Sequence, residues 1–189
     1  SGYGVFATAS SEGTLTNSGT ITGVGDGIFL DNGGQVTNSG SGSYISGAAG
    51  IKTQNATATI INEGTIIGTA GNGVYLAGGG SVTNEASGKI SAYGHGVYIG
   101  GPGGTLTNSG TITAGSSGTG VILASGTLKN MGAASYIRGF DGVAVISGAV
   151  DIRNEGTIVG SNDGIDLFNS FNNTVANYGT ITGSTAIRF

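Results

Sequence analysis

Two aspartates are the residues whose type and spacing could perform chemistry. Asp141 and Asp163 each precede a glycine and lie one sequence repeat apart, so in a coiled repeat their backbones would be about 4.8 Å from one another. Two carboxyl groups at about 5 Å are typical of retaining glycoside hydrolases. Asp26 also precedes a glycine, and Asp-Gly is an ordinary turn pair, so a structural role at a corner explains all three. We therefore expect a protein that is not an enzyme and has no catalytic residue, with a polysaccharide-degrading enzyme as one alternative.

Few other residues could support chemistry. His95 is the single histidine and there is no cysteine, so no catalytic triad or metal cluster can be assembled around His95. We expect no metal and no cofactor, and we interpret His95 as another corner residue. The chain has six Lys and Arg and a net charge of −4, which argues against nucleic acid as a partner. No apolar run approaches the roughly 20 residues of a transmembrane helix.

The elements that position these residues are internal repeats. The segment TLTNSGTITG at 14–23 returns seven more times in altered form, for example as TIINEGTIIG, TLTNSGTITA and TVANYGTITG. Its asparagine recurs every 21 to 24 residues, which is typical of a solenoid. The eight asparagines are Asn17, Asn38, Asn62, Asn84, Asn108, Asn130, Asn154 and Asn177.

Each repeat contains three short segments with the alternating pattern of β-strands, bounded by glycine. The first strand reads GVYL at 73–76, the second contains TLTN, and the third reads GTITG. Three strands in about 23 residues make one coil of a β-helix, and the bias of parallel crossovers predicts a right-handed one. The sequence thus predicts an all-β, right-handed parallel β-helix of eight coils, forming one domain over 1–189. We expect the chain to be a segment of a longer repeat protein, because neither end shows a polar cap.

Alternation within the strands assigns side chains to the core. The third strand contributes isoleucine in every copy, and the first and second strands contribute Ile, Val or Leu, with Thr53 and Phe189 in the last first-strand position. The asparagines are expected to stack as a hydrogen-bonded ladder. A glycine follows two residues after the asparagine in seven of the eight copies, and we expect it to supply a left-handed turn.

The outward position of the first strand is aromatic in four of the first five coils. Phe6, Phe29, Tyr75 and Tyr98 would form a stripe roughly 24 Å long and are the candidate partner-binding residues. Stacking between coils for stability is the alternative explanation of these rings. A further alternative comes from outward Thr pairs on the second strand, such as Thr105 and Thr107, since a regular TxT array is typical of ice-binding β-helices.

The repeated motifs NSGTITG and DGIFL resemble those of passenger domains of bacterial autotransporters, the type V secretion proteins. That resemblance implies a secreted module displayed on the bacterial cell surface, which is structural and adhesive and binds a host protein, a bacterial surface protein or a glycan. The motifs belong to the coil and not to a site, so they predict fold more directly than activity. A fibre subunit that stacks end to end is the remaining alternative.

Overall fold

A computed structural model describes residues 2–8, 13–168 and 170–189, and these residues form 25 strands and no helix. The strands divide into three sheets, one for each strand of the coil. The first sheet comprises β1 (Val5–Ala7), β4 (Ile28–Leu30), β7 (Ile51–Thr53), β10 (Val74–Leu76), β13 (Val97–Ile99), β16 (Val121–Leu123), β19 (Val143–Val145), β22 (Asp163–Asp166) and β25 (Thr185–Arg188). The second comprises β2 (Gly13–Asn17), β5 (Gly34–Asn38), β8 (Ala58–Asn62), β11 (Gly80–Asn84), β14 (Gly104–Asn108), β17 (Gly126–Asn130), β20 (Val150–Asn154) and β23 (Thr174–Asn177). The third comprises β3 (Thr20–Thr22), β6 (Tyr44–Gly47), β9 (Thr65–Gly68), β12 (Lys89–Ala92), β15 (Thr111–Thr113), β18 (Tyr136–Gly139), β21 (Thr157–Gly160) and β24 (Thr180–Thr182).

Each strand pairs in parallel with the equivalent strand of the next coil. The register places identical positions of successive repeats side by side, as in Asn84 against Asn108 and Ile90 against Ile112. This arrangement confirms the predicted parallel β-solenoid with three strands per coil, about eight coils and about 23 residues between equivalent positions. Contacts are therefore almost entirely between neighbouring coils, as expected of a repeat protein.

The core is a stack of aliphatic side chains, one set per coil. In the fifth coil, Val97, Ile99, Leu106 and Ile112 are all fully buried. Burial of such a side chain contributes roughly 1.5–3 kcal/mol, so each coil adds substantially to stability. The prediction that Phe189 points into the core is wrong, because its side chain is 77% exposed.

Thr53 interrupts the aliphatic stack. It occupies the position that Leu30 and Leu76 hold in the neighbouring coils, and it is fully buried. Its Oγ1 has no hydrogen-bond partner among the described residues. A buried hydroxyl without a partner lowers the stability of the fold. This coil therefore differs from its neighbours, which have an aliphatic side chain at this position.

The asparagines form the predicted ladder inside the solenoid. From Asn17 to Asn154, each side-chain Nδ2 donates to the Oδ1 of the next asparagine at 2.7–2.9 Å. The same Nδ2 groups also lie within hydrogen-bond distance of backbone carbonyls at the corner, for example Asn62 with the carbonyl of Gly64 at 3.0 Å. The six inner asparagines are fully buried, so the ladder satisfies polar groups that would otherwise be costly.

The glycines that follow the asparagines have a different role from the one predicted. Only Gly40 and Gly132 adopt the left-handed conformation, with φ of 85° and 83°. At four of the other five corners the reason is space, whereas a Cβ on Gly19 would meet no atom within 4 Å. A Cβ on Gly64 would clash with the carbonyl of Ser43, and one on Gly110 with the carbonyl of Gly88.

Longer corners between the second and third strands alternate with short ones through the first seven coils. The corner that begins after Asn38 has exposed residues at 40–42, and its backbone is held by the next coil. The carboxylate of Glu63 accepts the N–H of Gly40 at 2.6 Å. Four coils later Glu155 accepts the N–H of Gly132 at 3.0 Å in the same way. Gly40 and Gly132 are thus each anchored by a glutamate from the following coil.

Candidate binding face

The outward side chains of the first sheet form an aligned column, which we call the aromatic column. Its register pairs Phe6 with Phe29, Lys52 with Tyr75, and Tyr75 with Tyr98. Because these strands alternate inward and outward side chains, the pairing puts all five side chains on one face of the solenoid. The alignment follows the prediction made from the repeat.

The N-terminal end of this column is a compact aromatic cluster. The rings of Phe6 and Phe29 stack with centroids 5.3 Å apart, and Tyr3 packs on both, at 4.7 Å from Phe6 and 5.5 Å from Phe29. The ammonium of Lys52 lies 5.7 Å from the centroid of the Phe29 ring. Phe29 is consequently only 9% exposed, which corrects the expectation that it is an open contact residue. Tyr3 lies in the turn before the first strand, outside the strand pattern, so alternation could not identify it.

The second part of the column is a pair of tyrosines. The rings of Tyr75 and Tyr98 lie nearly parallel, with centroids 4.9 Å apart and planes at 16°. Both remain partly exposed. Ile122, which follows Tyr98 in the column, is aliphatic and 8% exposed, so the aromatic stripe ends at Tyr98. The accessible aromatic surface is therefore divided into two clusters on either side of Lys52.

A depression of about 690 Å³ lies on this face around Lys52. Its volume is within the usual range for small-ligand sites. It is bordered by the corners before and after the first strand. The lining residues are Asp26, Ala48, Ala49, Lys52, Gln54, Asn55, Ala70, Gly71, Asn72, Tyr75 and Ala77. Sequence reasoning missed this site, because the lining residues belong to three different coils.

Hydrogen bonds hold the polar side chains of this depression in place. Asp26 Oδ1 accepts the N–H of Ala49 at 3.0 Å, and Asn55 Nδ2 donates to Asp31 Oδ1 at 2.8 Å. Asn72 Oδ1 accepts the N–H of the corner residue one coil later at 3.0 Å. Each of these side chains therefore has a fixed orientation and a second polar atom available to a ligand.

The corner residues before the first strand form a row of acceptors for backbone N–H groups. His95 Nδ1 accepts the N–H of Thr119 at 3.0 Å, which requires an unprotonated Nδ1. Burial lowers the pKa of His95 and favours the neutral ring. This geometry supports the interpretation of His95 as a corner residue.

The two aspartates considered for catalysis belong to the same row. Asp141 Oδ1 accepts the N–H of Asp163 at 3.1 Å and the Nδ2 of Asn162 at 3.0 Å. Asp163 is 3% exposed, and its Oδ2 lies 3.6 Å from a guanidinium nitrogen of Arg188. Both carboxylates are thus engaged in contacts with backbone and side-chain groups of neighbouring coils.

The threonine array on the second sheet is aligned but irregular. Thr83 and Thr107 are paired in register, whereas Ile61 precedes them and Lys129 follows in the same column. Gln35 also interrupts the adjacent column, between Thr14 and Thr59. A polar groove of about 630 Å³ runs beside these residues. Ice binding stays a prediction from the sequence. The threonine columns on which it depends are interrupted by other residues.

The described residues contain no group of three or more His, Cys, Asp or Glu that could hold a metal ion. They also contain no helix that is long and apolar enough to cross a membrane. No family model, no curated protein and no solved structure matches this chain. The resemblance to autotransporter passenger domains therefore depends on the repeated motifs alone.

Proposed function

We propose that this chain is a rigid, non-catalytic module of a secreted bacterial surface protein, and that it adheres to a protein, a glycan or a neighbouring cell. The observation that carries the proposal is the aromatic column, in which Phe6, Tyr75 and Tyr98 present partly exposed rings on one face of a rod. Exposed aromatic surface of this kind is typical of interaction sites.

Repetition along the solenoid supports adhesion by many weak contacts. Equivalent positions recur about every 4.8 Å along the axis, so an extended partner would meet several side chains of the column in sequence. Multiple contacts of this kind raise the overall affinity without a deep pocket. The engagement of Asp141 and Asp163 in backbone and ion-pair contacts supports a role without catalysis.

An adhesion assay tests this proposal. Fluorescent beads coated with the purified chain would be incubated with cultured epithelial cells and with bacterial cells. We expect the wild-type beads to adhere, and the double variant Tyr75→Ala/Tyr98→Ala to lose most of the adhesion. The matched control is Tyr93→Ala/Tyr178→Ala, which removes two tyrosines that are 72% and 69% exposed and lie outside the column.

Equal adhesion of the column variant and the wild type would contradict the proposal, as would wild-type beads that adhere to neither cell type. Circular dichroism and thermal unfolding of each variant would show that the fold is retained.

A further inference from the structure

We infer that the depression around Lys52 is a binding site for one pyranose ring of a neutral glycan, which stacks on Tyr75. This inference rests on the proposed function and assigns a ligand class and a position to it. Four features support it. They are the uncovered face of the Tyr75 ring, the polar atoms of the lining residues, the opposite charges of Lys52 and Asp26, and the departures from the repeat in the coil of Lys52.

The free aromatic face belongs to Tyr75. One side of its ring is covered by Tyr98, with centroids 4.9 Å apart. On the other side of the ring, the residue paired with Tyr75 in register is Lys52. The ammonium of Lys52 points away from Tyr75 and lies over the ring of Phe29, in the preceding coil. The side of Tyr75 that faces Lys52 therefore lines the depression and has no aromatic neighbour among the described residues. The apolar C–H face of a pyranose packs on a surface of this kind.

The residues that line the depression together with Tyr75 carry polar atoms of both donor and acceptor character. In the described part of the chain, the ammonium of Lys52 and the Nδ2 of Asn72 have no hydrogen-bond partner. The same holds for the acceptors Asn55 Oδ1 and Asp26 Oδ2. Vicinal hydroxyls of a sugar both donate and accept, so they match a site that offers both types of atom.

The charge of the site favours a neutral sugar. Lys52 and Asp26 are the two charged residues that line the depression, and their charges are opposite. A sulfated or carboxylated sugar would meet the carboxylate as well as the ammonium. An uncharged ring with hydroxyls uses both groups as hydrogen-bond partners without a net electrostatic cost.

The coil that contributes Lys52 to the depression departs from the repeat at three positions. Lys52 interrupts the aromatic column, Thr53 interrupts the core, and Ile61 interrupts the outward threonines. Residues that depart from a regular repeat are expected at functional sites. Lys52 is part of the lining itself, and Thr53 and Ile61 add two further departures in the same coil.

Binding would be measured by isothermal titration calorimetry and by saturation-transfer NMR. The probes are neutral hexasaccharides of glucose with α and β linkages, of mannose and of galactose, and hexagalacturonate as a charged probe. We expect at least one neutral hexasaccharide to bind, and Tyr75→Ala to weaken its binding at least tenfold. Tyr75→Phe keeps the ring and is expected to bind within threefold of the wild type. Tyr93→Ala, a control outside the depression, is expected to bind as the wild type does.

Three outcomes would overturn the inference: no neutral hexasaccharide binds, the charged probe alone binds, or Tyr75→Ala binds as tightly as the wild type. The bead assay with the same protein preparation separates this inference from the proposed function. Adhesion without oligosaccharide binding overturns only the sugar site, whereas loss of both overturns the adhesive function as well.

Discussion

Asn84 donates its side-chain Nδ2 to the Oδ1 of Asn108 at 2.8 Å, in the middle of the asparagine ladder. The Oδ1 of Asn84 in turn accepts the Nδ2 of Asn62 at 2.8 Å. All three side chains are fully buried, so water cannot replace a lost partner. Each amide therefore links its coil to both neighbours.

We expect Asn84→Ala to lower the free energy of unfolding by about 2–4 kcal/mol, because it removes one acceptor of the buried Asn62 amide and leaves the buried Oδ1 of Asn108 without its donor. Asn84→Asp should be worse, since it buries a carboxylate and sets one of its oxygens against the Oδ1 of Asn108, which can only accept. Urea denaturation measures both. The exposed Gln54→Ala is the control and should change stability by less than about 0.5 kcal/mol. A change of that small size for Asn84→Ala would contradict a stabilising role of the ladder.

We expect Thr53→Val to raise the free energy of unfolding by about 1 kcal/mol. Valine has nearly the same shape, and the substitution removes a buried hydroxyl that has no partner among the described residues. Thr69→Val is the matched control, because Thr69 Oγ1 donates to the carbonyl of Gly47 at 2.9 Å. The two threonines should thus respond with opposite sign in thermal unfolding. Destabilisation by Thr53→Val would show that the hydroxyl has a favourable partner.

We expect Glu63→Ala to speed amide hydrogen exchange at Gly40 several-fold, because the carboxylate of Glu63 accepts that N–H at 2.6 Å. The bond is exposed, so global stability should change by less than about 1 kcal/mol. Glu85 occupies the equivalent position one coil later, and its carboxylate has no hydrogen bond in the described part of the chain. Glu85→Ala should leave exchange at Gly40 unchanged. Equal exchange at Gly40 in both variants would rule out the anchoring role of Glu63.

We expect the free energy of unfolding to decrease as the pH decreases through the range where His95 becomes protonated. Burial lowers the pKa of His95 in the folded state below its usual value near 6.5, so the unfolded chain binds the proton more readily. The contribution of the neutral ring is complete above about pH 6.5 and is lost as the pH falls through the lower, folded-state pKa. His95→Asn keeps an acceptor for the N–H of Thr119 and should flatten this part of the profile. Urea midpoints at pH 7.5 and 5.5 measure the difference, and identical slopes for the two proteins would refute it.

Features that repeat with the coil could be predicted from the sequence. Ile90 and Ile112 stack in register and are buried because alternation and the repeat length together determine their positions. The asparagine ladder follows from the same register, since a recurring polar residue at the end of a strand has its own copy as the nearest partner.

Features that depend on contacts between different positions of the coil could not be predicted. The burial of Phe29 depends on Tyr3, which lies outside the strand pattern, and on where the ammonium of Lys52 points. The reasons for glycine at positions 64 and 40 could not be told apart from the sequence. A neighbouring carbonyl leaves no room for a Cβ on Gly64, whereas Gly40 adopts a positive φ. The depression near Tyr75 involves residues about 23 and 46 positions apart, which only the folded coil brings together.

The seven amides from Asn17 to Asn154 point an N–H towards the next coil in chain order. Dipoles that are aligned head to tail add together, and each one polarises its neighbour. The solenoid thus carries an axial electric moment from its side chains, negative on the side of Asn17 and positive on the side of Asn177. The ladder is therefore polar along the axis of the solenoid. A coil whose asparagine amide was reversed would lose the hydrogen bonds to the asparagines of both neighbouring coils.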